Sequence, residues 1–426
     1  MWSKSFLLIF ICNITFIFAS LCLDRPDPLR LNYLERVSCP MVTKNEENKN
    51  YSNLKRNINM FNLTFNCGIT DITLCEKVKK AFESAEQILS DAIMFNQFVN
   101  INATFTNICA AYGACTSINS GIETQVIGGA GPSRVMMIKD DDGVNRFYPQ
   151  SLVKQLGNKA HPKYSDYDIN AIFNSEGVSY WFKEDGNIRA DQVDLEMVIL
   201  HELIHGLGFL TSLNDYMHDT PQELTPYVIG IINTSGSNYH FIGATFDKYM
   251  SVVPTGQSVS DIIKQMDVFS DVQYANQDNF TTTFLSSPQY NLATDLFSKA
   301  INPNSLTLLS GDDTIFLETS LTPFNSKSSI SHFSYQKHTN TSDFLMRFAI
   351  ERGKTLKQYV KMGGNYANGP IGPKLRAFLK SLGYTILDSA SNDQTSISTT
   401  ISKAELIIWC MLTISLSNII TSCLWK

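Results

Sequence analysis

His201, Glu202 and His205 stand in the stretch HELIHGLGFLT, residues 201–211. Two histidines four residues apart share one helical face, one turn from each other. That spacing lets both imidazoles reach a single tetrahedral zinc ion at about 2.0–2.1 Å. Glu202 falls on the neighbouring side of the same face. There a carboxylate can take a proton from a zinc-activated water and pass it to a leaving amine. Without a metal, the same three side chains on a buried helix would carry a heavy cost for polar groups lacking partners.

The helix that must carry them spans 192–206, QVDLEMVILHELIHG. It is apolar on almost every side, which predicts burial. Gly206 and Gly208 end it. A catalytic zinc needs three protein ligands and one open position. The remaining histidines are His161, His218, His240, His332 and His338, and Asp215, Asp247, Glu318 and Glu351 are the carboxylate candidates. No cysteine lies near HELIH and no CxxC spacing occurs, which argues against a thiolate site. Tyr335 and Tyr249 are phenols that could stabilise a tetrahedral oxyanion.

HELIHGLGF resembles the zinc helix of the metzincin metalloproteases, including the glycine at 208, but Thr211 stands where a compact motif would place its third histidine. Further on, SHF at 331–333 and SDFLM at 342–346 are similar to the leishmanolysin-like branch of that clan. In that branch a long insertion separates the glycine from the third histidine, and a methionine turn follows. The resemblance implies His332 as third ligand and Met346 as the methionine beneath the zinc. His338 offers an alternative register. It also implies an α+β, metzincin-like fold: a twisted mixed sheet with the active-site helix in an N-terminal subdomain (59–208), and an irregular C-terminal subdomain (209–388). The activity implied is that of a zinc-dependent endopeptidase acting on proteins or peptides, with Glu202 as general base.

The elements around the motif can be read from periodicity. Val78, Phe82, Ala85, Leu89 and Ala92 recur at helical spacing, and Thr73 with Glu76 makes a capping-box pair, so 74–95 reads as an amphipathic helix. Val99, Ile101, Ala103 and Phe105 alternate, predicting a strand over 98–107. GGAGPSRV from Gly128 reads as a turn before a strand at 135–139. DINAIFNS from Asp168 reads as another strand, and YWF at 180–182 as part of a hairpin. Residues 210–330 look irregular. A last helix opens at Pro373 and closes at Gly383.

The two ends place the chain. Lys4 followed by the apolar run Phe6–Phe18 and small residues up to Cys22 has the layout of a secretory signal peptide, residues 1–22, with an N-terminal membrane anchor as the alternative. Residues 23–58 read as a linker or short pro-segment. At the other end, residues 389–426 combine a Ser/Thr-rich spacer with a hydrophobic tail from about Leu406, the layout of a GPI-anchor signal, with a tail-anchored helix as the alternative. Either way the protein is expected outside the cell, at a membrane surface.

Of nine cysteines, six remain between the two ends if cleavage falls before Cys22, an even number that fits three disulfides. Cys39 has a second reading, as a thiolate cap on the zinc from a pro-segment. Sequons at Asn50, Asn62, Asn102, Asn233, Asn279 and Asn340 fit a glycoprotein. A net charge of −6 without a basic run argues against a nucleic-acid partner. Two rival functions stand beside the protease: a surface adhesion or structural protein that keeps the fold without catalysis, and a zinc hydrolase of non-peptide amides.

Overall fold

The computed structural model describes residues 21–30, 33–43, 58–113, 116–119, 122–157, 160–233, 236–311 and 313–388. Its first strand, β1 (Leu21–Asp24), pairs antiparallel with β2 (Glu35–Ser38). A Cys22–Cys39 disulfide ties them together, and both cysteines are fully buried. Cys39 is therefore a structural cysteine and not a cap on the metal. Cys22, at the edge of the signal segment, belongs to the folded protein. The first half of the expected linker is likewise part of the fold, whereas 44–57 lie outside the described residues. Both strands are too short to show alternation, which is why the sequence hides them.

The central sheet is built from β3 (Phe61–Cys67), β4 (Val99–Thr106), β5 (Gly128–Pro132) and β8 (Ile169–Asn174) in the order β3-β4-β8-β5. The first three run parallel, and β5 is antiparallel at the edge. Between β3 and β4 runs α1 (Ile72–Ala92), whose buried face includes Val78, Phe82, Ala85, Leu89 and Ala92, as their spacing requires. Its N-cap is Asp71, which accepts the Leu74 N–H at 3.0 Å, so the expected Thr73–Glu76 box is not the cap. A Cys67–Cys75 disulfide pins the start of α1 to the end of β3. Cys109 is disulfide-bonded too.

The glycine-rich GGAGP is a strand, not the turn its composition suggests. Glycine at 128 and 129 is needed because a Cβ would meet Phe173 at 2.7 Å and Leu29 at 2.8 Å respectively. One residue later the chain enters a second sheet, in which β6 (Arg134–Lys139) lies between β1 and β7 (Asn145–Pro149). On the outer face of the central sheet the amides interlock: Asn62 donates to Asn100, and Asn102 donates to Asn170 at 3.2 Å. Two of the sequon amides are thus engaged in the ladder.

The zinc-motif helix is α2 (Leu195–Gly206), and it is buried almost all round, as expected. It starts three residues later than the pattern suggests, because Gln192–Asp194 form a strand pairing in parallel with Ser179–Trp181. The expected hairpin at YWF is therefore replaced by this pairing. Asp194 caps α2 through the Glu196 N–H and also accepts from Leu356 N at 2.7 Å. Gly206 lets the helix end lie directly on β8, since a Cβ there would fall 2.6 Å from Ile169.

Beyond α2 the chain is more regular than its composition implies. Strands Tyr227–Asn233 and Gly236–Ile242 form a hairpin. Four further strands between 250 and 316 make a sheet, and helices span Val259–Met266, Gln277–Leu285 and Tyr290–Ala300. The final helix, α3 (Pro373–Leu382), ends at Gly383 with φ +118°, as the sequence predicts. The described chain up to Leu387 forms one compact unit, so residues on either side of 208 belong to a single body. No helix among the described residues is long and apolar enough to cross a membrane, and the C-terminal tail lies outside them.

Replacing both Cys22 and Cys39 with serine should lower stability by about 3 kcal/mol, the scale expected for releasing a loop of this length. Urea unfolding of the variant beside the parent reads it as a lower midpoint, with the slope fitted separately for each because the unfolded chain without the cross-link is more extended.

Candidate metal centre

The end of α2 brings His201 and His205 to one point, and a loop far along the chain brings His332 to meet them. The Nε2 atoms of His201 and His205 are 3.1 Å apart, those of His201 and His332 3.1 Å, and those of His205 and His332 3.2 Å. Three nitrogens bound to one tetrahedral zinc stand roughly 3.3–3.4 Å from one another. The triangle is therefore of the size that a single ion would span.

Each ring is oriented by its other nitrogen. His201 Nδ1–H donates to the Leu345 carbonyl at 2.7 Å, His205 to Phe209 at 2.6 Å, and His332 to Ser328 at 2.9 Å. A proton held at Nδ1 leaves a lone pair on Nε2. Three lone pairs then face a common centre, an arrangement that repels unless a cation fills it. Burial keeps the rings neutral: it pushes His201 down to about 4 and His205 down to about 3, and it holds His332 well below the ordinary range. Neutral imidazoles are the form that binds metal. The donor set thus fits zinc, with no carboxylate among the three.

Glu202 lies on the same helix and lines the same cleft. Its Oε2 accepts the Ala130 N–H from β5 at 2.9 Å. Burial raises this carboxyl to about 7, and the peptide N–H opposes the shift. A cation beside it would favour the ionised form. The cleft holds about 460 Å³, and its lining includes Gly128–Ala130, Lys327, Phe348 and Arg352.

The backbone after α2 completes the centre. Gly208 has φ +110°, in the region only glycine adopts freely. That reversal swings the Phe209 carbonyl back under His205. Thr211 does not reach the centre; its hydroxyl donates to the buried carboxylate of Asp247. The remaining histidines and carboxylates that the sequence offers as ligands are engaged elsewhere. Glu318 accepts from Ser320 N and Tyr335 N, both at 2.8 Å, and Glu351 accepts from Tyr335 Oη at 2.7 Å. His338 packs on the Phe333 ring at 5.0 Å, His161 stacks on Tyr164, and His240 pairs with Asp267. Asp215 and His218 form a separate cluster with Glu223.

Met346 is fully buried next to Leu345, whose carbonyl orients His201. Neither tyrosine lines the cleft: the Tyr335 hydroxyl is bound to Glu351, and the Tyr249 hydroxyl donates to the Ser381 carbonyl. What the sequence could not reveal are the groups acting through their backbone, namely Ala130, Phe209, Ser328 and Leu345. Main-chain donors and acceptors leave no residue-type signal.

A family described as SPBPB7E8-like matches residues 34–409. An uncharacterized protein of Schizosaccharomyces pombe, PB7E8.01, is 29% identical over 377 residues, 77% of this chain. The match spans 63% of that protein's own length. No solved structure matches.

Two substitutions test the centre. His332→Ala should lower bound zinc by one ion per chain, read by elemental analysis after dialysis. Gly208→Ala should cost more than about 1 kcal/mol of stability, because alanine is strained at this φ. It should also weaken zinc retention against a chelator, because the Phe209 carbonyl no longer holds His205 in place.

Proposed function

The chain belongs to the SPBPB7E8-like family, and we propose that it is a zinc-dependent endopeptidase of metzincin-like fold, secreted or held at the cell surface. The observation that carries this reading is the triangle of Nε2 atoms beside a carboxylate in one open cleft. A structural zinc site is closed on all sides by four protein ligands, whereas a catalytic one leaves a position for substrate and water. The parallel sheet with one antiparallel edge strand, and the long helix beneath it, support the fold assignment. Disulfides support an oxidising destination.

Zinc at this centre would supply Lewis acidity, polarising a substrate carbonyl and making water a better nucleophile near neutral pH. The chain's own residues do the rest. His201, His205 and His332 present neutral nitrogens in fixed orientation. Glu202 accepts the proton released by the attacking water and returns it to the amide nitrogen as the C–N bond breaks. The Ala130 N–H holds that carboxylate against β5 and so fixes its distance from the substrate.

The same strand is suited to hold the substrate. Because Ala130 N–H points towards Glu202 and is taken by it, the outward-facing peptide groups of β5 left for a substrate are the Ala130 carbonyl and, two residues back, those of Gly128. An extended peptide can add to this edge as a further strand. Among the described residues lining the cleft Glu202 is the one carboxylate, while Lys327, Arg347 and Arg352 bring positive charge to it. Substrates with acidic side chains near the scissile bond fit this balance.

Glu202→Gln should keep zinc at the parent's level and cut peptide hydrolysis by about 10²–10⁴-fold, the range expected for loss of a general base. A peptide library profiled by mass spectrometry should show cleavage enriched beside Asp and Glu, and the enrichment should weaken in Lys327→Glu. Full zinc occupancy with no cleavage of any peptide would sink the protease reading and favour a binding protein that has kept the fold.

A further inference from the structure

A second constellation of ligating side chains lies on the loop that follows the zinc-motif helix. Asp215, His218 and Glu223 converge within 4.8 Å of one another, and nothing in the proposed peptidase chemistry uses them. Asp215 and Glu223 are buried, and His218 is partly exposed. We propose that these three residues bind a second divalent transition-metal ion, of the zinc class, which ties the 215–223 loop into one shape.

The three side chains touch one another directly, and the His218–Glu223 contact must open for both to hold one ion. His218 Nδ1 stands 2.6 Å from Glu223 Oε2 and 3.5 Å from Asp215 Oδ1. The 2.6 Å contact is a close ion pair between His218 and Glu223, without the alignment of a full hydrogen bond. Glu223 is fully buried, and its Oε1 also has no hydrogen-bond partner. Burial, and after it the neighbouring Asp215 carboxylate, raise Glu223 to about 7. A cation between the two carboxylates would take the place of the proton they share and give the buried Glu223 Oε1 the partner it lacks.

The surroundings resemble an outer shell. Asp215 Oδ1 accepts N–H groups from Met217 and His218, both at 2.9 Å, and Oδ2 accepts from Gln222 at 2.8 Å. These bonds fix the carboxylate beside His218 and Glu223. One imidazole with two carboxylates is a mixed nitrogen and oxygen set. It suits zinc or manganese better than calcium, which takes oxygen alone. Asp215 and His218 also line a cavity of about 580 Å³ that extends to Leu23 and Arg36, so an ion has an entry path and room for water ligands.

The test uses the full chain, stripped with a chelator, dialysed against dilute Zn²⁺ and then against metal-free buffer. Metal is counted per chain in the parent, His218→Asn, Glu223→Gln and His332→Ala, with circular dichroism confirming that each is folded. The proposal expects each of the two loop variants to hold one ion fewer than the parent. The double variant, His218→Asn with His332→Ala, should hold two fewer. If folded His218→Asn and folded Glu223→Gln both hold as much zinc as the parent, the second site does not exist. Because the loop site is read from the difference between parent and loop variant, failure of the three-histidine centre to bind zinc leaves this readout intact. Should either loop variant fail to fold, the other decides. If neither folds, a folded parent retaining a single ion that His332→Ala loses overturns the proposal, and retention of one ion by folded His332→Ala supports it.

Discussion

Three buried imidazoles aimed at one point are the constraint around which this fold is organised. Each ring needs a carbonyl behind it, and the three carbonyls come from different places: Phe209 just past α2, Ser328 on the approach to His332, and Leu345 beyond it. Losing any one would free a ring to rotate and turn its lone pair away. The turn at Gly208, the return of the chain at 328–333 and the bend at 344–346 therefore have to be right together. Phe209 helps to hold them: its ring meets those of Phe333, Phe246 and Phe378 at 5.0–5.3 Å. The three-histidine cluster thus sits on an aromatic junction where four stretches of the chain meet.

The second dependence runs through β5. One strand pairs with β8, carries the N–H that holds Glu202, and continues through Ser133 into the sheet that contains β1 and β2. The disulfide-bonded N-terminal strands thereby support that carboxylate at one remove. Leu29, between those two strands, packs against Gly129. A segment that composition marks as dispensable is in this way tied to the wall of the cleft.

Legibility in the sequence follows the range of the interaction. His201, Glu202 and His205 are legible because a helix converts spacing into direction within one turn. The core face of α1 and the strand at 99–106 are legible for the same reason. His332 cannot be derived from spacing, because 127 residues separate it from His205; only the resemblance singles it out, and the fold brings it there. The departures from expectation have a common cause. Asp71 displaces the expected cap because a carboxylate just ahead of Thr73 competes for the same N–H groups. GGAGP looks like a turn because glycine's usual meaning is flexibility, whereas here it provides clearance for Phe173 and Leu29. The region 210–330 looks irregular because its seven-residue hairpin strands, YVIGIIN and GSNYHFI, do not alternate cleanly, its other strands are shorter, and its helices open on polar residues such as Asn276. Tertiary packing, not local pattern, decides those elements.

Thr211 and Ser331 mark where the long excursion between the second and third histidines leaves and returns. The Thr211 N–H donates to Ser331 Oγ at 3.3 Å, so its two ends touch. For a chain closed at its base, added or deleted length costs only a slowly growing entropy. The excursion can therefore lengthen, shorten or exchange its hairpin and helices over evolutionary time while the histidines stay in register. That makes it a stretch whose surface can change while the three imidazoles keep their places.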